Sequence, residues 1–541
     1  MPTTNPKNNP KNHTKAAAKA RPKLSERSWL PWAILGGILV VSIFFRFWRL
    51  NTLPPGLHPD EAANGLDIVH RIFHGDLRIL YDTNGPREAL FFYLQAIFVA
   101  LMGNTILALR IAPAIIGVGA VYATFLWGSD WFGRRVGLLA AAAASINVWA
   151  ITVTRDSFRA SMTPLMVALL MYFIGRAIKT RRMVYFVLSG LTLGLGVYTY
   201  TAFDTLAFGS LFLLGYLFVV RRDWLRQNAA KLGIATAIAL VIMSPLLYLT
   251  VRHPNESTTA RAGGTSFLNK GLNNGQPLQT LWTSAEKTFL QFNIKGDENP
   301  RQNTPGVPML DTFVGLMFLL GFVLSLRHIN RPKYFALLVV FGTMLLSAIV
   351  TAEGIPHGLR TLGSAPAAFI LAGIGINFVL ASWYKTFPIN APARSIGLYL
   401  IVLLFVLAAI NSYKQYFVAW AQDPRTYAAY SEDAVRAGKY LLAHNAAGQL
   451  NYVYVGDYTD KPIDYLTYHK VSYTLIDTYA DVSHLSTTPH EARLFIILEP
   501  SAPVRHAVVD TLEAKFPGGT LSEQTSAIDG HFLFFVYLTK S

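Results

Sequence analysis

Residues 30–50 read LPWAILGGILVVSIFFRFWRL and run straight into NTLPPGLHPDEAANG at 51–65. About 20 apolar residues are what an α-helix needs to cross the hydrocarbon of a bilayer. The run is too long, and its flanks are wrong, for a cleaved signal peptide, and Arg46 and Arg49 interrupt it only near its outer end. A few residues further on, Asp60 and Glu61 stand side by side, after Pro54-Pro55-Gly56 and His58-Pro59 have stiffened the backbone. Charges beside a span are costly to keep, so this pair is the first place to look for chemistry.

Outward from this segment the apolar pattern returns at about 86–103, 106–128, 134–153, 162–178, 183–200, 203–220, 231–249, 309–326, 334–351, 361–380 and 394–411. Within lipid, backbone groups must pair inside their own segment, which makes these runs helices. The composition agrees with that reading. Of 541 residues 52% are hydrophobic and only 14% charged, with mean hydropathy +0.34, against about 25% charged in a soluble domain. The chain reads as a polytopic α-helical membrane protein. It has no cysteine, which excludes disulfides and thiolate chemistry. Its formal charge of +16 gathers in short Lys/Arg runs between apolar segments, a sign of topology rather than of nucleic-acid binding. Residues 1–29 carry seven Lys and Arg among Asn, Pro and Ala and read as a disordered cytoplasmic tail.

If all twelve runs crossed, Arg134/Arg135 and the Lys179–Arg182 cluster would fall outside. If 86–103 lies along the outer face instead, these clusters, Arg221/Arg222/Arg226 and Arg327/Arg331/Lys333 all fall inside. Eleven spans are therefore expected, with twelve as the alternative. The N-terminus is then cytoplasmic, and 51–105, 250–308 and everything beyond about 412 face outward. Residues 30–411 form the membrane domain. After 412 the texture changes, with charges throughout, apolar strands at 450–456 (LNYVYVG), 493–499 (RLFIILE) and 531–538 (HFLFFVYL), and helical patterns near 433–444 and 503–515. This alternation predicts an extracytoplasmic α/β domain over 412–541. Neither a Walker motif nor a Rossmann glycine fingerprint is present, which argues against an ATP-driven pump.

The outer face collects the candidate site residues. Asp60 reads either as the N-cap of a helix through 62–73 or as a base, with Glu61 orienting it. Asp156, in TRDSFRAS beside Arg155 and Arg159, reads either as a helix-end salt bridge or as a second site carboxylate. Two such sites can hold a hard divalent ion or act as base and orienter. Arg87, with Glu88, opens the 86–103 helix, where a guanidinium opposes the helix dipole; a bound phosphate would explain it. His357 and Arg360 stand in EGIPHGLR at 353–360, with His357 also readable as a structural hydrogen-bonding residue.

PPGLHPDEAANG, then NGPREALFFYLQAIF at 84–98 and WFGRRVGLLAAAAAS at 131–145 leading to Asp156, resemble the GT-C fold glycosyltransferases that use polyprenyl-phosphate donors. Among these, the segment is most similar to the bacterial protein O-mannosyltransferase and aminoarabinose transferase superfamily. The resemblance covers roughly 40–200, with weaker support around 291–315 (QFNIKGDENPRQNTPGVPMLDTF) and 353–360. It implies inverting transfer of a sugar from a lipid-linked phosphate donor to a protein, lipid or glycan acceptor at the outer membrane face. Asp60 matches the family's first-loop catalytic aspartate, Glu61 its acidic neighbour and Asp156 the second acidic position. These three are also the candidate ligands of a Mg²⁺ or Mn²⁺ ion, which not every member uses. Arg87, Arg159, His357 and Arg360 are the candidate donor-phosphate contacts, although Arg87 stands in REAL where relatives often have Lys followed by two prolines and Leu.

Two other classes share some of these features. A secondary transporter or flippase of a lipid-linked or anionic substrate would show matched halves and helices broken at the midplane, whereas these charges crowd the outer rim. A non-catalytic scaffold in envelope assembly would tolerate loss of Asp60 and Asp156.

Overall fold

The computed structural model describes residues 29–258, 263–456, 459–486, 491–499 and 501–539. The basic tail expected over 1–29 lies outside these residues, apart from Trp29. The membrane part is built from α1 (Leu30–Phe47), α2 (Pro59–His70), a two-stranded hairpin β1/β2 (Leu80–Tyr81, Arg87–Glu88), α3 (Leu90–Met102), α4 (Ile106–Phe132), α5 (Arg134–Ile146), α6 (Val148–Arg155), α7 (Met162–Thr180), α8 (Met183–Gly196), α9 (Thr205–Val220) and α10 (Arg222–Arg252). It continues through α11 (Pro277–Leu290), α12 (Thr312–Arg327), α13 (Pro332–Ile349), α14 (Ala365–Thr386) and α15 (Ala391–Tyr413).

Side chains cap several of these helices and fix where they begin. The Thr105 hydroxyl accepts from the Ala108 N–H (3.2 Å) at the start of α4, and the Asp311 carboxylate accepts from the Phe313 and Val314 N–H groups (both 3.1 Å) at the start of α12. Among the described residues eight helices are long and apolar enough to cross a membrane, and a ninth if α5 and α6 are one span bent by 60°. Three apolar helices are shorter: α3, α8 and α12. By length and composition the count is thus eight or nine rather than the expected eleven. The difference is α8 and α12, with 14 and 16 residues. Helix α3, with 13 residues, rises only about 20 Å, short of a hydrocarbon core of about 30 Å.

Helices α4 and α14 are central, while α10 and α15 turn most of their surface outward. At the α12–α14 crossing a Cβ on Gly321 would lie 1.8 Å from the Leu371 carbonyl oxygen, and one on Gly375 2.1 Å from that of Met317. Only glycine permits this approach, and small residues at crossings are how helices associate where lipid offers no hydrophobic drive.

Beyond α15 the chain forms α16 (Glu432–Ala443), β3 (Leu450–Tyr454), α17 (Lys461–Thr467), β4 (Thr474–Ile476), α18 (Tyr479–His484), β5 (Arg493–Ile497), α19 (Ala502–Lys515), β6 (Thr520–Thr525) and β7 (Phe532–Leu538). The five strands lie in the order β4-β3-β5-β7-β6. The β4/β3/β5 pairs are parallel and the β5/β7/β6 pairs antiparallel. Alternate residues fill two cores: Val453, Ile496 and Val536 pack with Ala434, Ala437 and Leu441 of α16, while Phe495, Ile497 and Tyr537 pack with Val508 and Leu512 of α19. This unit rests on the 51–70 segment. The ring of Tyr465 in α17 fills the space that a Cβ on Gly65 would need, 2.5 Å away.

Candidate active site

The geometry of the acidic pair follows from one helix start. His58 caps α2: its Nδ1 accepts the Asp60 N–H (3.0 Å), and the His58 N–H donates to Glu61 Oε1 (3.2 Å). Successive residues of a helix point about 100° apart, so Asp60 and Glu61 face different surroundings. The Asp60 side chain faces a cavity of about 670 Å³, which Arg87, Arg159, Arg301, His357 and Arg360 also line. Glu61 and Asp156 do not line it and are fully buried.

Inside the cavity Asp60 Oδ1 accepts from the Asn84 amide, and Arg301 Nη1 lies 3.2 Å from Oδ2. Arg301 also lies 2.9 and 3.1 Å from the two nitrogens of His58, with its guanidinium 5.7 Å from the centre of the Phe158 ring. Burial first, and the Arg301 charge second, push His58 down to a pKa of about 4, so its ring is neutral at ordinary pH. The turn that carries Arg301 is held by its own side chains and by Trp420, whose Nε1–H donates to the Pro300 oxygen (2.9 Å). The same turn positions His357 and Arg360, because Asp297 Oδ2 accepts the Gly358 N–H (2.7 Å) and Gln302 Oε1 accepts the Leu359 N–H (2.9 Å). Burial pushes the Asp297 carboxyl up to about 6 against these hydrogen bonds.

Each cavity arginine has a carboxylate partner. Arg87 pairs with Asp67 (2.5 Å) and donates to Asn64; Arg159 pairs with Glu88 (2.5 Å) under the Tyr200 ring; Arg301 pairs with Asp60; Arg360 reaches Glu353 (3.4 Å). Glu88, which matches no position of the motif, therefore holds Arg159 in place. The guanidiniums are aimed but neutralised, and an incoming phosphate would exchange partners rather than neutralise bare charge.

Beneath the cavity lies a second layer. Glu61 makes a bidentate pair with Arg110 (3.0 and 3.1 Å) and accepts the Ser157 N–H (3.2 Å). The bend between α5 and α6, capped by Asn147, delivers Asp156 beside it. Asp156 Oδ2 accepts from the Tyr430 hydroxyl (2.9 Å). Burial, and then the nearby Glu61 charge, push the Asp156 carboxyl well above its ordinary range. Tyr430 comes from the segment before α16 and lies so close to the first loop that a Cβ on Gly56 would meet its oxygen at 2.0 Å.

The expected cation ligands Asp60, Glu61 and Asp156 do not converge: Asp60 faces the cavity, Glu61 is paired with Arg110, and Asp156 is buried with one oxygen on the Tyr430 hydroxyl. Among the described residues no group of three His, Asp or Glu side chains is arranged to hold a metal ion. Arg301 and Asp297, which line the cavity, and His58, which lies against Arg301, are the groups that motif reading passed over. The signal was present in GDENPRQN at 296–303, where two carboxylates, an arginine and three carboxamides crowd into eight residues.

Comparison with known proteins bears on the fold. The family model for dolichyl-phosphate-mannose-protein mannosyltransferases matches residues 87–249, a stretch that includes Arg87, Asp156 and Arg159. No curated protein matches the sequence. Among solved structures, ArnT from Cupriavidus metallidurans bound to undecaprenyl phosphate superposes with a TM-score of 0.55 at 14% identity, over 94% of this chain and 97% of that one. The chain has the GT-C fold. The apo Archaeoglobus fulgidus oligosaccharyltransferase shares that fold (TM-score 0.54, 15% identity, 92% of this chain and 70% of that one). So does AglB from the same organism in complex with an inhibitory peptide and a dolichol-phosphate (0.53, 13%, 95% and 74%). These GT-C likenesses bear out the resemblance drawn from the first-loop motifs, and with it a multi-pass membrane protein.

Proposed function

We propose that this GT-C protein is an inverting glycosyltransferase that takes a sugar from a polyprenyl-phosphate donor and passes it to an acceptor hydroxyl at the outer membrane face. The observation that carries the reading is the carboxylate of Asp60, at the start of α2, facing a cavity lined by four arginines, with Arg301 3.2 Å from it. The donor phosphate exchanges into the Arg301, Arg159 and Arg360 pairs, with His357 beside them, while Arg87 anchors the wall through Asp67 and Asn64. As Arg301 turns to phosphate, Asp60 is released to act as base. The acceptor oxygen attacks the anomeric carbon and loses its proton to Asp60, while the bond from that carbon to the phosphate oxygen breaks and the phosphate leaves with the electron pair. The guanidiniums gain interaction energy as charge collects on the leaving phosphate, which is where electrostatic catalysis acts. Glu61 and Asp156 position the loop from below and take no part in proton transfer. No step needs a metal ion.

Reconstituted vesicles supplied with a panel of polyprenyl-phosphate sugars test this reading. Wild type should give product with the anomeric configuration inverted, and near-normal turnover by folded Asp60→Asn would end the base assignment. Donor sugars linked to ArnT-like and mannosyltransferase-like proteins, an aminopentose and mannose, head the panel, with the acceptor drawn from protein, lipid and glycan.

The eleven-span topology belongs to the same proposal, with α8 and α12 as crossings and α3 along the outer face. The basic clusters then lie inside, and the cavity and the 412–541 unit lie outside. In this naturally cysteine-free chain, a cysteine at Gly103 should label from outside and one at Arg134 only after permeabilisation. External labelling at Arg134 would overturn the count.

A further inference from the structure

A second cavity, of about 460 Å³ and sharing no lining residue with the first, lies where the ends of two spans meet the C-terminal unit. Asn51 and Thr52, just past α1, and Thr105 and Ile106, at the start of α4, form one wall. Glu432, Arg436 and Lys439 of α16, together with Lys470, form the other.

The charge there is unbalanced. Arg436 and Lys439 are one helical turn apart, a spacing at which like charges repel. Glu432 lies 3.4 Å from Arg436, but its other oxygen is taken by the Ser526 hydroxyl (2.9 Å). Among the described residues Lys439 has no carboxylate within ion-pair distance. Partial burial and then the Arg436 charge push its ammonium below the ordinary lysine pKa, as expected of a cation facing other cations without a counterion. Lys470 is aimed rather than loose, because its Nζ donates to the Asn104 and Leu466 carbonyls (both 3.2 Å) and keeps a third proton for a ligand. Pro55, Ile106, Val435, Leu442 and Leu466 give the same cavity an apolar side. Both α1 and α4 are long and apolar enough to cross a membrane, and the ends of such helices are where lipid headgroups meet water.

We propose that this cavity binds the phosphate of an anionic membrane lipid, with Arg436, Lys439 and Lys470 on the phosphate and the apolar side against the lipid's glycerol and upper chains. A lipid seated there bridges the span ends and α16, and so ties the C-terminal unit to the membrane part. The site is separate from the donor cavity and does not depend on the transferase reading.

The test uses the purified full chain and native mass spectrometry, with phosphatidylglycerol, phosphatidylcholine and inorganic phosphate as probes. Phosphatidylglycerol should be retained and phosphatidylcholine should not, and inorganic phosphate should leave the bound lipid in place. Lys439→Gln and Lys470→Gln should each weaken retention about fivefold, from about 1 kcal/mol per basic group near a membrane surface, while Lys439→Arg should retain the lipid. Equal retention of both lipids, wild-type retention by the double glutamine variant, or displacement of the lipid by inorganic phosphate would each overturn the assignment. Sugar transfer is not the readout, so failure here leaves the transferase reading untouched, and the reverse also holds.

Discussion

Two ion-pair layers meet in the first turn of α2, and they differ mainly in access to water. In the cavity layer Asp60 pairs with Arg301 at 3.2 Å, and the side chains keep 36% and 20% of their surface exposed. In the layer below, Glu61 pairs with Arg110 at 3.0 Å with nothing exposed. An exposed pair is worth little and exchanges partners readily, whereas a buried pair cannot lose one member without stranding the other. Neighbouring carboxylates of similar chemistry are thereby given different tasks: Asp60 can be released by a substrate, and Glu61 cannot.

Exchanging the two defects tests that division most directly. Asp60→Asn should lower sugar transfer by roughly 10²–10⁴-fold, the range for a lost general base, with thermal unfolding in detergent close to wild type. Glu61→Gln should do the opposite. Leaving Arg110 charged and buried costs about 3–5 kcal/mol of stability, so the unfolding temperature should fall sharply, while whatever fraction remains folded keeps its turnover. If Asp60→Asn unfolded the chain, or Glu61→Gln abolished turnover in protein of normal stability, the two layers would not be separate.

How much of this arrangement the sequence disclosed depended on the range of the interaction. Helix α2 and three of the five strands of the C-terminal sheet, β3, β5 and β7, follow from periodicity and local caps, so their positions were legible, and the first-loop motifs pointed to the fold; the bend between α5 and α6 and the short or exposed strands β4 and β6 were not. Which of Asp60, Glu61 and Asp156 faces the cavity was not legible. That depends on Arg110, Tyr430 and Arg301, which lie 49, 274 and 241 positions from their partners. No local pattern encodes such pairings. Arg87 shows the same limit: reading it as a helix-terminal phosphate ligand missed the hairpin that puts it in β2 against Asp67. The span count differs for another reason, since α8 and α12 are apolar but shorter than the other candidate spans.

Asp297 sharpens the comparison from a third position, because it borders the cavity but is buried like the lower layer. Its carboxyl is pushed from 3.8 up to about 6 in the folded protein, so the native state holds this proton more tightly than the unfolded chain does. Its contribution therefore favours folding below about pH 4 and is lost as the pH rises towards 6, by roughly 2–3 kcal/mol at most. Unfolding temperatures measured across that window should fall with rising pH in wild type and change less in Asp297→Asn. Equal slopes would place Asp297 with the solvated groups of the cavity.

The smallest effect belongs to Tyr430→Phe, which removes only the hydroxyl that donates to Asp156. The ring keeps its place against Trp420 (5.9 Å) and under Arg110 (5.8 Å), and the backbone keeps its contact with Gly56. Asp156 then loses its donor, but burial already favours its protonated form, so the carboxyl can accept a proton rather than stand charged. The cost should be about 1 kcal/mol, that of one hydrogen bond, read as a small drop in unfolding temperature with sugar transfer unchanged. A loss of transfer comparable to that of Asp60→Asn, in protein that still unfolds near the wild-type temperature, would mean that the Asp156–Tyr430 bond serves the reaction. The buried layer would then share the cavity's task instead of supporting it.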